Sequence, residues 1–398
     1  MPRSVRLWAV AVALPICVAA ACTSAGPGSG SAARTQPSPP SSVAPETDQA
    51  APPSDARVEE ALAGLDRRQQ VAQLFLVGVP LQDLGAGDAL VRETGVGGVF
   101  LRGRSQAAVA ELAATTSHWA SIAPGPLPWV AADQEGGAVQ TLSGPGFAHL
   151  PPAVEQGRLP PDQLAALADD LGSSLSGAGV NLDLAPVVDV VPPGTEAGNP
   201  PIGAYGRQYG STPDVVLPAA AAIVKGLAAH GVTATLKHFP GLGRVQANTD
   251  TTAHVTDDGT TRYDGQVAVF GGLARSPAAP FVMMSTATYT RIDPSASAAF
   301  SSVVVTDLLR GQLDFDGVVV SDDLGNAVSV QDVEVGERAV RFLAAGGTLV
   351  LTVEPATLPR MIEAVLARDS TDPAFMALVD EAVRTALGAK ARAGLLPP

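Results

Sequence analysis

The sequence is poor in the residues that most often announce a function. Cysteine occurs twice, at Cys17 and Cys22. Both lie near the N-terminus, so the remainder has no disulfide and no thiol chemistry. The five histidines (His118, His149, His230, His238 and His254) form no HxH or HExxH pair, which removes the usual zinc arrangements. A hard-cation site built from Asp133, Glu135 and Asp322 stays open, but nothing in the pattern demands it. No GxGxxG or Walker-type loop follows the first strand-like run, so nucleotide binding has no support, and no cofactor is implied. Positive charge is scarce: 25 Lys and Arg stand against 39 Asp and Glu, a formal net charge of −14. Such a surface repels phosphate backbones and anionic headgroups, which argues against nucleic acid as a partner. Aromatics make up 4% of a chain in which Ala, Gly and Val abound, a bias of the kind a GC-rich genome imposes.

One apolar run, residues 7–21, is broken by Pro15 and is short for a membrane span. Arg3 and Arg6 precede it and small residues follow, so residues 1–21 read as a secretory signal. Val18-Ala19-Ala20-Ala21-Cys22 is similar to a bacterial lipobox, with Ala19 where Leu is commoner. Lipidation of Cys22 is the reading preferred over an ordinary cleaved signal with an incidental cysteine. Residues 22–56 are rich in Ser, Pro, Ala and Gly and cannot bury enough apolar surface to offset their ordering entropy, which predicts a disordered tether. The expected plan is a lipid-anchored protein on the extracytoplasmic face of the cell membrane. It meets the membrane only through its anchor and carries a folded body over residues 57–398.

In that body the pattern alternates between strand and helix signals. Eight short apolar runs, at 73–79, 97–101, 129–132, 180–187, 232–237, 281–285, 317–321 and 348–353, are each bounded by Gly, Pro or Asp. Helical stretches fall at 107–120, 161–178, 213–229, 302–313, 333–345 and 372–391. Near-continuous apolar strands with helical crossovers imply a parallel sheet covered on both faces. Eight such units predict an α/β fold, a (β/α)8 TIM barrel forming a single catalytic domain; a doubly wound open sheet is the alternative.

A barrel places functional groups just after its strand ends. Asp133-Gln134-Glu135-Gly136-Gly137 follows the third run. Asp183 and Asp189 lie on and beyond the fourth. Lys237 and His238 end the fifth, before the Phe239-Pro240-Gly241-Leu242-Gly243 loop. Asp322 and Asp323 end the seventh. Any one of these reads equally well as local structure: a core His beside a surface Lys, or an Asp capping a helix. Four in register do not. Adjacent residues on a strand point to opposite sides, so one of the two last Asp residues faces the mouth. That role goes to Asp322, as nucleophile or metal ligand, and the capping role to Asp323. Carboxylates, a Lys and an Arg around a mouth suit a hydroxyl-rich, uncharged ligand, and sugar chemistry needs a carboxylate besides.

These motifs, with Gly179-Val180-Asn181-Leu182-Asp183-Leu184-Ala185-Pro186-Val187-Val188-Asp189-Val190 and Ser321-Asp322-Asp323-Leu324, make the chain resemble the family 3 glycoside hydrolases, in their single-domain bacterial β-N-acetylglucosaminidase branch. The resemblance implies a retaining exo-β-N-acetylglucosaminidase in which Asp322 forms a glycosyl-enzyme. It implies sugar binding by Asp133, Lys237 and His238, and by Arg207 on the loop that begins at Asn199. Terminal β-linked GlcNAc on peptidoglycan fragments is the implied carbohydrate partner. The chain departs from the family in three places. Leu242 stands where the family has His. Ala138 and Thr141 stand where it has Arg. Asn248, Thr249 and Asp250 fall where its Asp-Ser-His loop supplies the acid/base. Two replacements are open, Asp250 itself or His254 partnered by Asp250. The alternative function is a glycan-binding lipoprotein with weak or lost hydrolase activity.

Overall fold

A computed structural model describes residues 53–397. The predicted signal peptide, Cys22 and most of the predicted tether lie outside the described residues. The first helix, Pro53–Ala63, begins inside the stretch assigned to the tether.

Eight parallel strands form the core: β1 (Phe75–Pro80), β2 (Gly98–Arg102), β3 (Trp129–Ala132), β4 (Leu182–Asp183), β5 (Thr233–Phe239), β6 (Phe281–Met284), β7 (Val319–Ser321) and β8 (Val350–Thr352). Each pairs with its sequence neighbour, and β1 returns to β8 through Phe75↔Val350. The ring closes between β7 and β8 at the Val320↔Leu349 bridge, where Ser321 N–H donates to Leu349 O at 2.9 Å. This is the (β/α)8 barrel. Its strands read as unbroken apolar runs because one side faces the barrel interior and the other faces helices. Trp129 and Phe281, at the starts of β3 and β6, meet edge to face with centroids 5.2 Å apart.

The strand predictions hold in position and drift at their ends. The largest difference is β4, predicted over 180–187 and observed over two residues. Pro186 has no N–H to give, so the regular ladder stops there. Contact with β5 continues irregularly through Thr235 N–H to Ala185 O and Val188 N–H to Lys237 O, both 2.8 Å. The stretch predicted as a helix over 302–313 is a π-helix, Val303–Gln312. The helices that were not predicted include Gly265–Ala274 and Leu358–Asp369. The first carries Gly271 and Gly272 and is held by burial of most of its length rather than by propensity. In the second, Pro359 resembles a breaker but occupies the first turn, where proline costs no hydrogen bond.

Candidate active site

The C-terminal ends of the strands surround a cavity of about 290 Å³. Asp133, Arg207, Lys237, His238, Asp250 and Asp322 all line it. A larger groove of about 890 Å³ lies away from these residues, against Glu59, Arg275 and Arg384.

Asp133 is the first residue beyond β3. The chain then doubles back in a short antiparallel ribbon, Gln134–Gly136 against Val139–Gln140, closed by the Gln134 amide, which donates to and accepts from the Leu142 backbone at 2.7 and 2.9 Å. That turn brings Asp133 and Glu135 to one cation. Lys237 Nζ, projecting from β5, lies 2.6 Å from Asp133 Oδ1 and 2.6 Å from Glu135 Oε1. Arg207 clasps the same Glu135 with two parallel bonds, Nε to Oε2 at 2.8 Å and Nη2 to Oε1 at 2.7 Å, and its Nη1 donates to Pro201 O at 2.7 Å. Burial opposes ionisation of Glu135, yet Arg207 and Lys237 outweigh it and bring its carboxyl down to about 2. Burial also works against the Lys237 ammonium, and Asp133 and Glu135 overcome it, so Lys237 stays charged well above its ordinary range.

His238 follows on the same strand, across a cis Lys237–His238 peptide. Its Nδ1 lies 2.8 Å from Asp189 Oδ2, which fixes the proton on Nδ1 and leaves Nε2 as the free ring nitrogen. Asp189 Oδ1 also accepts the N–H groups of His238 (3.1 Å) and Leu242 (2.8 Å), so one carboxylate orients both the ring and the loop behind it. Gly243 in that loop passes so near the preceding segment that a Cβ there would lie 2.0 Å from Val190 O. Asn199 ties the same loops together, donating to Leu242 O and Val245 O at 2.8 Å each.

Asp322 leaves β7 with its side chain partly open to the cavity. Among the described residues its Oδ1 accepts only the N–H of Asp323, at 2.9 Å. Burial lifts its carboxyl to about 6; His238 pulls the other way, and the negative charge of Asp250 adds to the rise. Asp323 turns away. Its carboxylate accepts N–H groups from Gly325 (2.9 Å), Asn326 (3.1 Å) and Val353 (3.0 Å), capping the next turn and tying it to β8.

The structure therefore brings together Asp133, Arg207, Lys237, His238, Asp250 and Asp322. It does not bring in His254. That side chain is 80% exposed, pairs with Asp332 at 3.1 Å and lies in a separate groove with Arg244 and Asp258, away from the cavity that holds Asp322. The cation site considered from Asp133, Glu135 and Asp322 is also corrected: Lys237 already sits between the first two carboxylates. Among the described residues no cluster of His, Cys, Asp or Glu is arranged to hold a metal. Asp189 was visible only as a motif residue and Glu135 only as a possible cation ligand; the signal that would have given them their roles is the need of a buried Lys, Arg and His for acidic partners.

A (β/α)8 barrel with a balanced ion cluster and unpaired carboxylates at the C-terminal strand ends has the build of a sugar-bond hydrolase. The profile described as "Glycosyl hydrolase family 3 N terminal domain" matches residues 67–387. The β-hexosaminidase of Stenotrophomonas maltophilia (strain R551-3) is 34% identical over 325 residues, covering 79% of this chain and 92% of the relative. The crystal structure of a β-N-acetylhexosaminidase from Beutenbergia cavernae DSM 12333 is 45% identical with a TM-score of 0.79, covering 82% of this chain and 98% of that one. A family 3 β-N-acetylglucosaminidase from Paenibacillus sp. str. FPU-7 is 28% identical with a TM-score of 0.73, over 84% of this chain and 64% of that one. The chain belongs to glycosyl hydrolase family 3, and it is a glycoside hydrolase.

Proposed function

We propose that the protein is a retaining exo-β-N-acetylhexosaminidase that removes terminal β-linked N-acetylglucosamine. The observation that carries the reading is the setting of Asp322. It stands at the end of β7, open to the cavity, with one backbone N–H on its carboxylate and, among the described residues, no cation hydrogen-bonded to it. Such a carboxylate can attack an anomeric carbon; one held like Glu135 cannot. The names of the relatives above support the choice of N-acetylated hexose.

In this reading the sugar's hydroxyls meet Asp133, Lys237, Arg207 and His238 Nε2. Asp322 forms a bond to the anomeric carbon as the glycosidic C–O bond breaks. Asp250 protonates the leaving oxygen, then accepts a proton from the water that cleaves the glycosyl-enzyme, restoring both carboxyls. Two displacements at one carbon retain its configuration. The lipobox-like segment and tether support a cell-surface location, and with it peptidoglycan fragments as the natural substrates.

Release from an aryl β-N-acetylglucosaminide, beside the matching β-glucoside, tests the reading. Turnover should favour the N-acetylated sugar and vanish in Asp322→Ala, and proton NMR should show the β-anomer as first product. An α-anomer as first product, or undiminished turnover in Asp322→Ala, refutes the mechanism. Muropeptide fragments assayed with the same pair of proteins test the substrate class.

A further inference from the structure

The loop that carries Asp250 does not stand alone. Its far end, Thr256–Asp257, forms a parallel ribbon with Thr288–Tyr289 beyond β6. Its crest is held separately. Thr249 O accepts the N–H of Ser329 at 3.0 Å, and Asp250 O accepts that of Val328 at 3.2 Å. Both donors belong to the short 3-10 turn Val328–Val330, six residues beyond Asp322 in the chain and on the same strand connection. Ser329 Oγ donates to Thr286 Oγ1 at 2.8 Å, which brings in the loop after β6. His254 and Asp332 add an outer contact at 3.1 Å. Three neighbouring loops thus meet at Ser329. Asp250's own carboxylate makes no side-chain hydrogen bond among the described residues, so its position is set by its backbone.

We propose that the Val328–Asp332 segment is a clasp that sets the height of Asp250 over Asp322, with Ser329 as its main positioning residue and Asp332 as a weaker one. The inference rests on the reading of Asp250 as the acid/base. Protonation by a well-placed acid contributes about 10²–10⁴ in rate, and a displacement of about 1 Å can forfeit a factor of about 10². The contacts are unequal. Thr249 is 2% exposed, so its bond to Ser329 is shielded from water. The His254 and Asp332 side chains are 80% and 69% exposed, where an ion pair contributes little. Loss of Ser329's bonds should therefore outweigh loss of Asp332.

Leaving-group dependence separates positioning from general damage, because a strongly acidic phenol departs without protonation and a weakly acidic one does not. The full-length protein and its Ser329→Ala, Ser329→Pro, Asp332→Ala and Asp250→Ala variants are compared by kcat/KM on aryl β-N-acetylglucosaminides spanning both kinds of phenol. Ser329→Pro removes the N–H given to Thr249, and Ser329→Ala the hydroxyl bond to Thr286, so the test survives if the proline variant fails to fold. The expected loss for the Ser329 variants is about tenfold or more on weakly acidic phenols and under about twofold on the most acidic one. Asp332→Ala shows a smaller loss of the same pattern, and Ser329→Thr restores the rate lost in Ser329→Ala. Equal losses on all substrates, or none, in the Ser329 variants would overturn the clasp. If Asp250→Ala itself lacks the leaving-group pattern, the acid/base reading fails first, and the two failures are told apart.

Discussion

Replacing Asp322 by Asn should abolish turnover and at the same time stabilise the fold. Asn keeps the oxygen that accepts the Asp323 N–H, so the local backbone has no reason to move. What changes is the charge. Burial lifts the Asp322 carboxyl from 3.8 to about 6. The folded state therefore binds this proton more tightly than the unfolded chain does. Below the unfolded value both states are protonated and the group contributes nothing. As pH rises from 3.8 through about 6 the folded state is increasingly penalised, and above that the penalty is complete. One pKa unit corresponds to about 1.4 kcal/mol, so the full penalty is about 3 kcal/mol. The side chain is partly open to the cavity, which makes that figure an upper bound. Urea denaturation of the protein and of Asp322→Asn, run side by side from pH 3.5 to 7.5, reads the difference directly. Other titrating groups cancel in the comparison. The variant should be equal to its parent near pH 3.5 and more stable by up to about 3 kcal/mol near pH 7. A difference that does not change with pH would refute the reasoning and weaken the proposal that Asp322 is the nucleophile.

If Asp322 is the nucleophile as proposed, kcat/KM should fall as pH drops below about 6, where its carboxyl becomes protonated; a profile flat to pH 4.5 contradicts this. Glu135→Gln takes from Arg207 its two carboxylate bonds and from Lys237 one of its two carboxylates. Removing one partner of a buried ion cluster should cost about 3–5 kcal/mol in urea denaturation and raise KM, since Arg207 then loses the carboxylate that orients it. Lys390 is buried and, among the described residues, donates only to Gln73 Oε1, at 2.6 Å; burial brings its amine down to about 7. Because its folded value lies below its unfolded one, the penalty is full below about pH 7 and fades toward 10.5. Lys390→Met should stabilise the fold by about 3 kcal/mol near pH 6, after allowing for the orphaned Gln73 oxygen, and the gain should shrink at pH 9; a destabilised variant at pH 6 refutes the argument.

The barrel was legible because its signal is local. Val318-Val319-Val320 and its counterparts declare buried strands over a few residues, and the polar residue that ends each run marks the mouth. What failed was decided at a distance. The Glu135–Arg207 pair spans 72 residues and cannot be found by spacing. The helix Gly265–Ala274 has poor propensity and exists because its neighbours bury it. Counting along the chain located Asp250 but could not separate it from His254, four residues on. The distinction lies in what each meets across space: Asp250 is drawn to the turn after β7, and His254 to Asp332 on the outer surface. Residue type left both open, and tertiary contact brings only the carboxylate to the cavity that holds Asp322.

Charge in the cavity is divided unequally, and the division bears on the chemistry. Asp133 and Glu135 face Lys237 and Arg207, two anions against two cations, so this part of the wall presents fixed donors and acceptors with no net charge. Asp189 is committed to His238 and the Leu242 backbone, and Asp323 to three backbone N–H groups. A neutral frame of that kind suits hydroxyl groups, whose charge does not change during the reaction. The two remaining acids lining the cavity, Asp322 and Asp250, are tied to no cation by a hydrogen bond among the described residues. Glycosidic cleavage builds positive charge on the sugar ring as its bond breaks, and only groups whose field is uncompensated can respond to it. Neutralising either acid should therefore slow the reaction far more than it weakens binding, whereas neutralising a member of the balanced set should do the reverse.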